Sequence, residues 1–157
     1  MTLKPTACLS IEDLEVGQSH TKTYTVTDDM LKAFAQVSGD YNPAHFNDAY
    51  AANTRFKRRI AHGCISIAQF SGIFGMDMPG LGTVWVSQTI EFLAPVEIGK
   101  PYTAVATVIA KEKRSATIKT ESFDSEGNKV VTGEGVVYPI PARVKAKMVD
   151  DLPNILA

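Results

Sequence analysis

Cysteine is scarce in this chain: Cys8 and Cys64 are the only two. They stand far apart and share no metal-ligand spacing. A disulfide framework is excluded, and a reducing compartment is the simpler setting. Charge of one sign is also lacking, since 16 Lys and Arg oppose 17 Asp and Glu for a net -1. A chain so balanced has no bulk attraction for nucleic acid or for an anionic membrane surface, and any anion site must be a local cluster. No run approaches the ~20 apolar residues that span a bilayer. The opening stretch, MTLKPTACLSIEDLEVG, has no long apolar core and carries Glu12, Asp13 and Glu15. It fits neither a secretory signal nor a transit peptide. Internal repeats and low-complexity segments are absent. These gaps predict a cytoplasmic protein without nucleic-acid or membrane partners.

What is present suits one domain. The 157 residues are 45% hydrophobic and 21% charged. A chain of that length buries roughly 68–70% of its unfolded surface, enough for a true core. Residues 1–18 read as an irregular lead-in closed by Gly17. Residues 19–27 are Thr-rich with Tyr24 and Val26, which suits a strand. Thr27 has the character of an N-cap, with Asp28 and Asp29 in the first turn where the helix dipole favours negative charge. Met30, Leu31, Phe34 and Val37 then recur at helical spacing over 28–37, and Gly39 stops the helix. SGDYNP is a turn by composition. Residues 48–53 suit a short helix capped by Asn47 or Asp48. In the following AHGCISIAQFSGIFGM, Ile65, Ile67, Ala68, Phe70, Ile73 and Phe74 leave almost no polar face, the mark of a buried helix.

The second half changes period. Residues 83–93, 102–112, 115–124 and 129–138 read as strands rich in β-branched and aromatic residues. Glu126-Gly127-Asn128 is a hairpin turn, and Pro139 and Pro141 end the last strand. Short connections make these strands antiparallel. An apolar helix needs cover, and a curved antiparallel sheet wrapped around it supplies that. The expected class is therefore α+β, one domain over 1–141, followed by an amphipathic helical tail within 142–157 that sets Val144 and Met148 at i,i+4.

Two motifs carry chemistry. Residues 34–45 read FAQVSGDYNPAH and 61–63 read AHG. Together with Phe70-Ser71-Gly72 they resemble the MaoC-like, (R)-specific enoyl-CoA hydratase family, and the resemblance runs from about residue 15 to 140. It implies a hotdog fold, which is a sheet wrapped around a helix, and a homodimer or dimer-based oligomer. It also implies hydration of trans-2-enoyl-CoA to (R)-3-hydroxyacyl-CoA, with Asp40 and His45 at the catalytic positions. An acyl-CoA thioester is then the partner, coenzyme A arrives as part of the substrate, and no separate cofactor or metal is called for.

The residues suit that reaction. Hydration needs a base for the attacking water, a proton at C2 and a polarised thioester carbonyl. Asp40 and His45 stand five residues apart across Asn42-Pro43, a spacing that lets a turn bring both onto one water. Imidazole titrates in the useful range, and partial burial helps a carboxyl act near neutral pH. Asn42, Pro43 and His62 are candidates for positioning the loop. Gly63 opens the buried helix, where the dipole and free N–H groups favour developing negative charge, and Ser71 and Gly72 are second candidates. Ile73, Phe74 and Val136 are candidate acyl-pocket residues. Arg55, Lys57, Arg58 and Arg59 form the best basic cluster for the coenzyme phosphates, ahead of Lys111, Lys113 and Arg114. Competing readings are a hotdog acyl-CoA thioesterase, a 3-hydroxyacyl dehydratase acting on acyl carrier protein, and a non-catalytic acyl-thioester binding module.

Overall fold

A computed structural model describes residues 7–147. Strand β1 (Ser19–Thr25) leads into helix α1 (Asp28–Ser38). Thr27 caps α1 by accepting the Met30 N–H, and Gly39 ends it at φ 76° with its N–H on the Ala35 carbonyl. Leu31 and Ala35 form the buried stripe, with Met30 and Phe34 partly buried beside it. Val37, expected on that face, is instead 88% exposed on the last turn. Inside the expected turn, residues Pro43–Phe46 close a single helical turn, α2. Asn42 caps it on the Ala44 N–H, and proline at the first position suits the missing donor there. Asn47 then caps α3 (Asp48–Ala52).

Helix α4 spans Gly63–Gly72 and continues as a π-helical turn, Ile73–Asp77. Five strands follow: β2 (Val84–Gln88), β3 (Glu91–Phe92), β4 (Pro101–Lys111), β5 (Ala116–Phe123) and β6 (Lys129–Tyr138). All pairings are antiparallel, in the order β1-β4-β5-β6-β2, with β3 also on β6. The β5–β6 turn closes where Asp124 accepts the Glu126 and Asn128 N–H groups, with Gly127 at φ 83°. The sheet turns one face to α4. Tyr102, Ala104, Ala106 and Val108 alternate inward from β4, and Ala116, Ile118, Thr120 and Ser122 from β5. They meet Ile65, Phe70, Ile73 and Phe74, all at most 3% exposed. The α+β class and the hotdog arrangement of sheet around helix are as the pattern required. No helix among the described residues is long and apolar enough to cross a membrane.

Two expectations change. The run 83–93 is not one strand. A bulge lies between Trp85 and Ser87, and the chain is broken again before β3. At the break the Thr89 carbonyl crosses so close to Gly133 that a Cβ there would sit 1.9 Å from it. Helix α4 is also not enclosed on all sides, because Cys64, Ala68 and Ser71 form an exposed i, i+4, i+7 stripe opposite the sheet. One sheet covers one side of a helix, and apolarity alone does not reveal which side.

Residues 142–147 are helical as expected, while Met148 and the rest of the tail lie outside the described residues. Lys145 donates to Asp13 at 2.7 Å, and Asp13 also accepts the Ser10 N–H and hydroxyl, both at 2.7 Å. The Lys145 ammonium first, then the two Ser10 donors, hold the Asp13 carboxyl down at about 2. A lowered native value stabilises the fold above the ordinary carboxylate range, and that contribution disappears as pH falls through the native value. Asp13→Asn is therefore expected to lower Tm at about pH 5, with the gap from wild type closing toward about pH 2. Thermal melts across that range decide it; a constant gap contradicts the coupling.

Candidate functional site

The segment 40–48 lies against the strap 59–62. Asp40 follows the left-handed Gly39, and its carboxylate accepts the Asn42 N–H at 3.1 Å. Asn42 in turn caps α2, the one-turn helix that carries His45. On the strap side, the Ile60 carbonyl accepts from His45 Nδ1 at 2.8 Å. A carbonyl only accepts, so Nδ1 carries the proton, and Nε2 of the neutral ring presents a lone pair. His62 Nε2 donates to the Asp40 carbonyl at 3.0 Å. The Asp40 carboxylate stands 3.8 Å from both Nε2 atoms.

Burial is graded across this trio. The side chains of Asp40, His45 and His62 are 48%, 12% and 2% exposed. The two imidazoles stack with centroids 3.8 Å apart and planes 30° apart, and the Phe34 ring packs against His62 at 4.9 Å. His62 Nδ1 is buried without a hydrogen-bond partner among the described residues. Asp40, His45 and His62 offer three ligand atoms within 4.8 Å of one another, a set that a divalent cation could use. Stacked rings, however, send their in-plane lone pairs along nearly parallel sheets. A cation would require the rings to turn and His62 to leave the Asp40 carbonyl, whereas one water spanning 3.8 Å requires neither.

A cavity of about 330 Å³ opens beside His45. Gly63 and Cys64, the first two residues of α4, form part of its wall, and Phe92 to Val96 form another part. The opening N–H groups of a helix have no partner within it, so this wall presents donors and the positive end of the dipole. The Phe92 ring lies against Gly63, where a Cβ would come within 2.6 Å of it. Sequence reasoning found Gly63 but missed Phe92 and the Ile60 carbonyl. Phe92 sits in a two-residue strand after a break, and a backbone carbonyl has no residue-type signature.

The remaining candidates are scattered. Ser71 and Gly72 lie two turns along α4, about 12 Å from Gly63 at 1.5 Å per residue. Their N–H groups sit deep in the helix, and neither residue lines the cavity. Ile73 and Phe74 are core residues, with Phe74 edge-on to Trp85 at 5.0 Å. Val136 faces the other way: Val131, Gly135 and Val137 turn toward the helix, while Val136 shares the outer face with Glu134 and Tyr138. Strand alternation sets this, and one residue of register reverses it.

The basic run divides similarly. Arg55 lines the cavity, its guanidinium 4.7 Å over the Phe56 ring. Lys57 occupies a left-handed turn position at φ 59°. Arg58 pairs with Glu97 at 2.7 Å. Arg59 is held by Asp28 at 2.8 Å and Asp48 at 2.9 Å, and these carboxylates keep its guanidinium more firmly protonated than usual. Lys113 and Arg114 line a separate groove of about 570 Å³, together with Arg143.

The family model described as MaoC like domain matches residues 13–130. An (R)-specific enoyl-CoA hydratase from Rhodospirillum rubrum is 41% identical over 134 residues, covering 84% of this chain and 92% of that protein. Its namesake from Aeromonas caviae is 39% identical over 131 residues, covering 82% of this chain and 98% of the other. An unliganded R-hydratase structure from Pseudomonas aeruginosa superposes with a TM-score of 0.81 at 37% identity, covering 85% of this chain and 87% of that one. A match across three quarters of the chain, joined to the same fold, leads to one statement: this chain belongs to the MaoC-like domain family.

Proposed function

We propose that this protein is a hydro-lyase that adds water to trans-2-enoyl-CoA, giving (R)-3-hydroxyacyl-CoA, and that it also runs the reverse dehydration. The observation that carries the reading is the pairing of His45 Nε2 with Asp40 Oδ2 across 3.8 Å, with His45 Nδ1 tied to the Ile60 carbonyl. Two acceptors at that spacing suit one water that donates a proton to each and turns its lone pair to C3 of the enoyl group. The proton leaving the water and the proton reaching C2 both pass through this pair. The N–H groups of Gly63 and Cys64 polarise the thioester carbonyl as negative charge develops on it. His62, on the Asp40 carbonyl, orients the acid, and Asn42 and Pro43 shape the turn. No metal or separate cofactor takes part. The (R)-hydratase relatives support the substrate class and the stereochemistry.

Arg55, on the cavity wall, is the cation of the basic run best placed to meet a coenzyme phosphate. A homodimer belongs to the same reading. Edge strand β1 carries Lys22 at its centre, a charge that discourages sheet extension. The opposite edge, β2, reads VWVSQ, with Val84 59% and Val86 50% exposed. Two copies pairing along β2 cover it, and the cytoplasm is the expected compartment.

Purified protein offered crotonyl-CoA is expected to consume the enoyl absorbance and to yield the (R)-alcohol without releasing free thiol. Thiol release would identify a thioesterase. Tight acyl-CoA binding without turnover would identify a binding module, and activity confined to acyl carrier protein thioesters would identify a dehydratase of that class.

A further inference from the structure

Arg59 belongs, by sequence, to the cluster expected on the coenzyme phosphates. Its surroundings point elsewhere. Nη1 donates to Asp28 Oδ1 at 2.8 Å and to the His45 carbonyl at 3.4 Å, and Nε donates to Asp48 Oδ1 at 2.9 Å. The side chain is only 23% exposed. Asp28 is the first residue of α1 and Asp48 the first of α3. One guanidinium thus ties two helix starts to the backbone of the residue between them that bears the imidazole.

That residue needs the help. Helix α2 has four residues, and a single turn is not stable by itself. Its position comes from the neighbouring strap. The Ile60 N–H reaches the Ala44 carbonyl at 3.4 Å, the Ile60 carbonyl takes His45 Nδ1–H, and His62 holds the Asp40 carbonyl. Arg59 anchors the start of this strap and is its only link to both α1 and α3 among the described contacts.

We propose that Arg59 is a positioning residue for the Asp40–His45 chemistry: its fork locks α2 between α1 and α3, and so keeps His45 Nδ1 on the Ile60 carbonyl and Nε2 toward Asp40. This rests on the hydratase reading for its kinetic consequence, though not for its structural one. The geometry requires a planar fork. A lysine ammonium keeps the charge, but its three N–H donors radiate from one nitrogen and do not reproduce donation from the separate Nε and Nη1 positions to Asp48 and Asp28.

The test uses Arg59→Lys and Arg59→Ala in the full chain, with two readouts. Nitrogen-15 spectra of the His45 ring report its tautomer whether or not the protein turns over. Wild type is expected to show one Nδ1–H form and both variants a mixture. With crotonyl-CoA, kcat should fall roughly ten- to a hundredfold, the scale of a misplacement near 1 Å, while KM stays within about threefold. Guanidinium ion at low concentration should restore part of the Arg59→Ala rate and part of the single tautomer. Should Arg59→Ala not fold, Arg59→Lys carries both readouts. An unchanged His45 spectrum overturns the proposal. So does a rise in KM at constant kcat that vanishes with crotonyl-pantetheine, because that pattern places Arg59 on the coenzyme phosphates. A wild type that shows the single tautomer yet hydrates nothing would count against the hydratase reading and leave the clamp standing.

Discussion

His45→Ala and Asp40→Ala are each expected to lower crotonyl-CoA hydration by about 10²–10⁴-fold, the range that positioned proton transfer contributes. The losses should not add. Asp40 and His45 act on one water, so removing either destroys the same arrangement, and the double variant should be about as slow as the slower single one. KM should change little, since neither group is asked to hold the coenzyme. Both variants should keep the far-ultraviolet dichroism of wild type, because Asp40 is half exposed and His45 sits on a short surface helix. Undiminished hydration in both would remove the pair from the chemistry, and multiplicative losses would mean that the two act in separate steps.

The largest stability effect is expected at Phe70→Ala. Phe70 is fully buried in the last turn of α4, beside Phe74 at 6.5 Å and beneath the inward faces of β4 and β5. Truncating such a ring removes its transfer energy and leaves a void that a close-packed sheet does not refill, about 3–5 kcal/mol in comparable cores. For a chain of this size that lowers Tm by roughly 6–20 °C. Ser71→Ala, one residue on but on the exposed stripe of the same helix, should stay within about 0.5 kcal/mol and leave the rate unchanged. Comparable melting losses at both positions would show that the helix is covered on both sides.

The contrast between Phe70 and Ser71 marks where sequence reasoning reaches its limit. Apolarity around the helix announced a core element, but its orientation depends on a sheet whose strands arrive later in the chain. The same applies to Val136, placed by alternation on the outer face, and to the run 83–93, interrupted where the Thr89 carbonyl meets Gly133. Local chemistry was far more readable. Thr27, Gly39 and Asn47 act as caps and stops because each closes hydrogen bonds within four residues of itself. The basic run was legible only in part. Charge is visible in sequence, but the partners of Arg58 and Arg59 come from distant segments, at Glu97, Asp28 and Asp48.

By itself, then, the sequence determined an α+β domain, its caps and turns, and the proximity of Asp40 to His45, since five residues across a proline turn cannot stray far apart. Tertiary structure alone decided what those residues face. The Ile60 carbonyl selects the tautomer of His45, His62 is seated on the Asp40 backbone, and the Phe92 ring fills the space where the glycine that opens α4 would carry a Cβ. Each is a contact across a long stretch of chain, and such contacts follow from packing, which residue type and spacing do not encode locally.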